Sequence, residues 1–559
     1  MMTPYLPQND AEPQKRLDWL QRNRQDYQFD LDYLPPLSQL ENLPLVESFS
    51  GKYISERLLA TSELPANSLA VNFRSLWDPL DELQDYEDFF PVLPKPKTIK
   101  TYQTDDSFCE QRLCGVNPMV LTNIKQLPLN FVEKLQPKFG PSLNLQQELN
   151  NGNLYIADYS RLSFVQGGTY ERGKSYLPKP VAFFCWRSSG YSDRGQLVPV
   201  AIQFNQENGE TSNIITPFDN ALTWFKAKIC VQIADGNHHE MSSHLCRTHL
   251  VMEPFAIVTA RQLAQNHPLG LLLRPHLQFM LANNDLARKR LINRGGYVDE
   301  LLGGTLQESL QILKNAYETW SLDGFALPTE IKNRGMDDVK RLPHYPYRDD
   351  GMLVWNALKK FVTNYLKIYY QTPQDVSQDF ELQAWAQELV SPEGGRVKGM
   401  RDRIETVEQL VDIVTTIIFT CGPQHAAVNY PQYEYMAFVP NMPLAAYQPI
   451  TEELSTPKES KSLMPFLLPP KESKSLMSFL PPPKQAAEQL AIVHILSAYR
   501  YDRLGYYDNE FQDPQAQAAV ERFKQDLNIV EREIDLNNKK RLVPYIYLKP
   551  SLIPNSISI

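Results

Sequence analysis

The sequence predicts a mainly α fold, a large helical bundle with a minor β-sheet element. Three observations carry this reading. Apolar residues recur at i, i+3 and i+4 around 224–231, 239–250 and 411–419, the period of helices with a buried face. Strand-like runs rich in β-formers are short and confined to 154–159 and 197–204, each bounded by glycine or polar residues. The chain of 559 residues is 42% apolar and 22% charged, a balance that supports a large core and excludes disorder throughout.

Taken in order, residues 10–32 are polar, charged and moderately helical, and they give way to Pro35-Pro36. Residues 1–99 therefore read as a mostly helical N-terminal extension, and 100–559 as the main domain. Thr216-Pro217 reads as a cap followed by proline, the start of the long helices. The run Pro-Lys-Glu-Ser-Lys-Ser-Leu-Met begins at Pro457 and again at Pro470, a tandem duplication with a period of 13 residues. Two copies are too few for a solenoid and the prolines forbid a long helix, so 456–484 reads as a duplicated, Pro/Lys-rich surface loop. Its lysines beside Leu, Met and Phe also suit a lid or a loop that touches membranes.

Lys plus Arg number 56 against 65 Asp plus Glu, a net charge of −9, which argues against a nucleic-acid partner. The six cysteines (Cys109, Cys114, Cys185, Cys230, Cys246, Cys421) lie mostly in apolar or helical stretches and read as reduced core residues. No basic-then-apolar leader is visible at the start, and no stretch reaches the ~20 apolar residues that span a bilayer. The expectation is a cytoplasmic protein without a transmembrane segment, for which peripheral membrane contact stays open.

The chemistry concentrates in histidines. Of nine in the chain, six (His238, His239, His244, His249, His267, His276) fall within 238–276. An imidazole in an apolar interior is costly unless its ring nitrogens have partners, and a metal ion is one such partner. His244 and His249 are five apart, which on a regular α-helix is roughly 500°, or about 140° around the axis. A π-helical turn, with its i→i+5 bonding, brings both near one face, so a local π turn is predicted here. The zinc-protease pattern His-Glu-x-x-His misses by one residue, since His239-Glu240 is followed by a histidine five away. On a second helix His425 and Asn429 are four apart and share a face. Three imidazoles and an amide oxygen are neutral ligands that suit a redox iron better than a thiolate-held zinc.

The run HEMSSHLCRTHLVMEPFAI at 239–257, continued by HPL at 267–269, resembles the lipoxygenase signature. Four further segments resemble lipoxygenases in the same order: DSFCEQRLCGVNP at 106–118, YPYRDDG at 345–351, HAAVNY at 425–430 and IPNSISI at 553–559. The resemblance covers residue 100 to the end. It implies one non-haem iron held by His244, His249, His425, Asn429 and the terminal carboxylate of Ile559. It also implies that Glu240 and Gln432 form a hydrogen-bond pair behind the ligands. The implied reaction removes a bis-allylic hydrogen from a cis,cis-1,4-pentadiene of linoleic or linolenic acid and adds O2 to give a hydroperoxide.

Four pocket residues follow from the same resemblance. Ala287 stands where alanine goes with S hydroperoxides and glycine with R ones. Leu291, Val298 and Leu504 match apolar positions that line the pentadiene and the oxygen path. Two departures matter. The first 100 or so residues are too few and too helical for the N-terminal β-sandwich of plant members, which points to a minimal, bacterial-type enzyme. Met442 stands where many plant members place an arginine for the substrate carboxylate, which favours entry methyl end first. The partners implied are a polyunsaturated fatty acid and O2. Two alternatives keep the fold: a hydroperoxide isomerase, and a catalytically silent lipid-binding scaffold.

Overall fold

A computed structural model describes residues 4–75, 80–128, 130–171, 173–188, 195–204, 214–449, 476–507 and 511–559. Helices dominate it, as predicted. The strands gather mainly into one five-stranded antiparallel sheet in chain order: Thr122–Asn123, Leu154–Asp158, Val181–Arg187, Gln196–Gln203 and Ile214–Ile215. Side chains alternate across a strand, so Val181–Arg187 sends Phe183 and Cys185 into a small cluster with Phe131 and Leu135, and Phe184 and Trp186 into the main core. Being covered on both faces, this strand reads as a nearly continuous apolar run.

One helical rod runs unbroken through the core, from Ala221–His238 through the π-helix His239–Leu250 into Val251–Gln262. Its start differs from the sequence reading. Thr216 does not cap a helix; its N–H and hydroxyl both donate to the Asp219 carboxylate in a turn, and Asn220 caps the helix by accepting from Leu222 N and Thr223 N. The short polar side chain nearest the first helical turn wins the capping role.

Residues 4–75 and 80–99 are helical in part, with Pro13–Asp26, Gly51–Ala60 and Leu64–Ser75, and several of their side chains pack into the main core. Helix Pro13–Asp26 packs on Val251–Gln262, and Leu6, Leu40 and Tyr53 belong to the same core cluster as Ile559. Arg16, nearly inaccessible, pairs with Glu381 (Nε–Oε1 2.5 Å) and Asp10 (2.5 Å). The strand Gln39–Leu40 reaches the rod, where Leu40 N donates to Glu253.

The duplicated segment lies outside the described residues up to 475. Its tail is not a surface loop: Leu476, Phe479 and Leu480 are buried, Phe479 O accepts from Tyr447 N, and helix Pro483–Ser497 begins inside the span read as loop. Apolar side chains flanked by proline are drawn into the core here, and Pro483 sits at a helix start, where its missing N–H costs nothing. All six cysteines are free and buried. Among the described residues no helix is long and apolar enough to cross a membrane.

Candidate metal centre

The predicted local π turn is a π-helix of 12 residues, His239–Leu250. The widened turn sets His244 and His249 on one face, with their Nε2 atoms 3.3 Å apart. A second, shorter π turn, Thr420–Gln424, leads into helix His425–Asn429 and delivers His425, whose Nε2 lies 3.4 Å from that of His244. The three rings are buried, with their ligand nitrogens within 4.8 Å of one another.

Burial pushes all three imidazoles below their ordinary range. His249 falls to about 3 through burial and the neighbouring His244; burial likewise lowers His244, and His425 well below its usual value with help from His249 and His244. The rings are therefore neutral at pH 7, which is the ligating form. Two nitrogens bound to one ion at ~2.1 Å lie roughly 3.0–3.4 Å apart for angles of 90–109°. The observed spacings fall in that range, so the residues present fit a metal ion.

The other four histidines of the 238–276 cluster have partners elsewhere. His239 Nε2 meets Val428 O at 2.8 Å, His238 Nδ1 meets the Asn117 amide, His267 pairs with Asp379, and His276 bridges Asn555 O and the Tyr507 hydroxyl. Six clustered histidines thus divide into two that face His425 and four that serve the core.

The C-terminal segment crosses the second π turn. A Cβ on Gly422 would sit 2.9 Å from Pro554 O, so only glycine allows this approach. His276 Nδ1 then donates to Asn555 O, Ser556 Oγ donates to Gln278 O, and Tyr53 Oη donates to Ser558 O at 2.7 Å. Ile557 and Ile559 are buried, against the usual fraying of a chain end.

Behind the rings the structure departs from the implied Glu240–Gln432 pair. Gln432 Nε2 turns to Asn429, donating to its Oδ1 at 2.8 Å and its backbone O at 3.0 Å, because the two residues share one local turn. Asn429 Nδ2 donates to Leu496 O, which fixes its amide. Glu240 instead faces His239 Nδ1 (3.5 Å) and His244 Nδ1 (3.8 Å). Burial pushes the Glu240 carboxyl up, but the nearby His239 imidazole, with His244 beyond it, outweighs burial and holds it at about 2.

Among the pocket residues, Ala287 is buried on helix Met280–Arg290. Leu291 N donates to Ala287 O and Val298 N to Leu291 O, so these three are neighbours. Leu504 is buried and held separately, its N–H donating to Ile553 O in the C-terminal segment. Sequence reasoning missed Asn284, whose Oδ1 lies 3.0 Å from His249 Nδ1, and Glu253, which Asn284 bonds in turn. The visible signal was Asn283-Asn284, poor helix formers inside a helix.

Comparison with known proteins agrees with this geometry. The chain matches the lipoxygenase family profile over residues 79–544. It is 33% identical over 503 residues to a linoleate 9/13-lipoxygenase of Pseudomonas aeruginosa, covering 86% of this chain and 70% of that protein. It is 32% identical over 540 residues to an allene oxide synthase-lipoxygenase protein of Plexaura homomalla, covering 91% of this chain but only about half (49%) of that one. A hydroperoxide isomerase of Homo sapiens is 32% identical over 517 residues, 90% of this chain and 69% of that protein. The crystal structure of a coral 8R-lipoxygenase superposes with TM-score 0.88 at 30% identity, over 100% of this chain and 83% of that one. The chain belongs to the lipoxygenase family, fatty-acid dioxygenases that work with one non-haem iron.

Proposed function

We propose that the protein abstracts a bis-allylic hydrogen from the cis,cis-1,4-pentadiene of linoleic or linolenic acid and adds O2, giving a hydroperoxide of S configuration. The observation that carries this reading is the convergence of three buried, neutral imidazoles, His244, His249 and His425, on one point. Asn429 and the carboxylate of Ile559 complete the ligand set we assign. When bound, the iron supplies the one-electron redox step and the base that accepts the hydrogen.

The chain's own residues do the holding. Burial of the imidazoles keeps protons off the nitrogens that bind metal. Ala287 shields one end of the pentadienyl radical with its methyl group, and Leu291, Val298 and Leu504 confine the acyl chain and the oxygen path. Met442, fully buried, offers no cation for a carboxylate, which supports entry methyl end first. The Pseudomonas aeruginosa relative supports linoleate as a substrate. A second reading, hydroperoxide isomerisation, draws on the comparable similarity to the human isomerase.

Oxygen uptake by the iron-loaded protein with linoleic acid, followed together with conjugated-diene absorbance, tests this. Matched uptake and diene formation are expected. Turnover of a hydroperoxide without net uptake would favour the isomerase, and neither from iron-containing protein would leave a lipid-binding scaffold.

A further inference from the structure

The three imidazoles are not supported alike. Among the described residues His425 Nδ1 is buried with no hydrogen-bond partner, and His244 Nδ1 faces Glu240 only at 3.8 Å. His249 Nδ1, by contrast, meets Asn284 Oδ1 at 3.0 Å, in a network whose Asn284, Glu253, Gln39 and Leu40 are buried and whose outer member, Arg288, is partly exposed. Asn284 Nδ2 donates to Glu253 Oε2 at 2.7 Å and to His249 O at 3.2 Å. Glu253 Oε1 accepts from Leu40 N (2.7 Å) and from Arg288 Nη1 (3.2 Å), which also donates to Gln39 Oε1.

The polarity of this chain has one solution. Glu253, ion-paired with Arg288, only accepts, so the amide nitrogen of Asn284 must face it. The amide oxygen is then turned to His249 Nδ1, which must donate, and the proton sits on Nδ1. Nε2 is left with its lone pair, aimed at His244 and His425. We propose that Asn284, oriented by Glu253, is a positioning residue that keeps His249 in this one tautomer, and that residues 39–40 of the N-terminal segment take part through the Leu40 N–H. The proposal rests on the reading of His249 as a metal ligand.

A swap of polarity tests it. In Glu253→Gln the new amide keeps its oxygen on Leu40 N and Arg288 and turns its nitrogen to Asn284. Asn284 must then flip, which offers a donor to His249 Nδ1 and drives the proton to Nε2. Iron retention under a chelator challenge is expected to fall ten- to a hundredfold, the scale on which such outer partners act. The double variant Glu253→Gln/Asn284→Asp restores an acceptor opposite His249 and a donor opposite that acceptor, at unchanged net charge. It is expected to regain most of the lost retention, short of the bond to His249 O. Asn284→Leu, which spares the Glu253–Arg288 pair, is expected to lose iron to a smaller degree.

Metal content and apo-protein melting are measured on the full chain for each. Wild-type iron retention in Glu253→Gln and Asn284→Leu would overturn the proposal. So would a double variant no better than Glu253→Gln when both melt alike. His249→Ala separates the two readings: iron lost there but kept in the other variants rejects only the role of Asn284, whereas iron kept in His249→Ala rejects the ligand assignment itself.

Discussion

At the scale of the residue, one methyl group is asked to decide chirality. Ala287 sits one turn beyond Asn284 on the same helix, buried and next to Leu291. On the proposed function, removing its Cβ in Ala287→Gly opens space for O2 at the other end of the radical. The expected outcome is a product shifted from S toward R, read by chiral chromatography of the reduced hydroperoxide; an unchanged S excess would show that substrate orientation decides instead. The position of Ala287 was legible from its motif. Its contacts were not, because an alanine on a helix looks the same in a core and in a pocket.

At the scale of the element, two packing contacts bear on the site. Gly422 lets the C-terminal segment cross the π turn that precedes His425. In Gly422→Ala the new methyl meets the Pro554 carbonyl at 2.9 Å, a backbone atom that must move. Iron retention is expected to fall several-fold with the helix content unchanged; full retention would show that the segment can adjust. Helix Pro13–Asp26 is held by Arg16, whose loss leaves the Glu381 carboxylate buried without its cation. Arg16→Met is expected to cost about 3–5 kcal/mol in denaturant unfolding, and adding Glu381→Leu should recover part of it, since Asp10 still lacks its cation. A single variant of wild-type stability would show that water replaces the guanidinium. The π turn at His244 and His249 was readable from their five-residue spacing. Its length of 12 residues was not, since continuation depends on packing along the rod.

At the scale of the whole molecule, the buried histidines set a pH dependence. His249 and His276 are pressed by burial from an ordinary 6.5 to about 3 and about 4. Above pH 6.5 neither folded nor unfolded chain protonates them. Below it the unfolded chain takes up protons that the folded one refuses, so stability falls as pH falls. The slope is about 1.4 kcal/mol per pH unit for each histidine until its folded value is reached. Melting of the metal-free protein should therefore drop steadily from pH 6.5 toward pH 4. A flat profile would mean that water or a rearrangement lets these rings charge in place.

By itself the sequence determined the helical class, the histidines that gather at one point, the spacing that demands a π turn and the family motifs, because each is written in residues close along the chain. Only the tertiary structure decided what the other four clustered histidines meet, which way Asn284 turns, that Gln432 donates to Asn429, and that Leu6, Leu40 and Tyr53 pack in the same core as Ile559. Those outcomes depend on groups brought together from distant segments: Leu40 on Glu253, Tyr53 on Ser558, Pro554 against Gly422. Local periodicity reports which face of an element is buried. What that face meets is settled by packing and by pairing each buried donor with an acceptor, which are properties of the assembled chain.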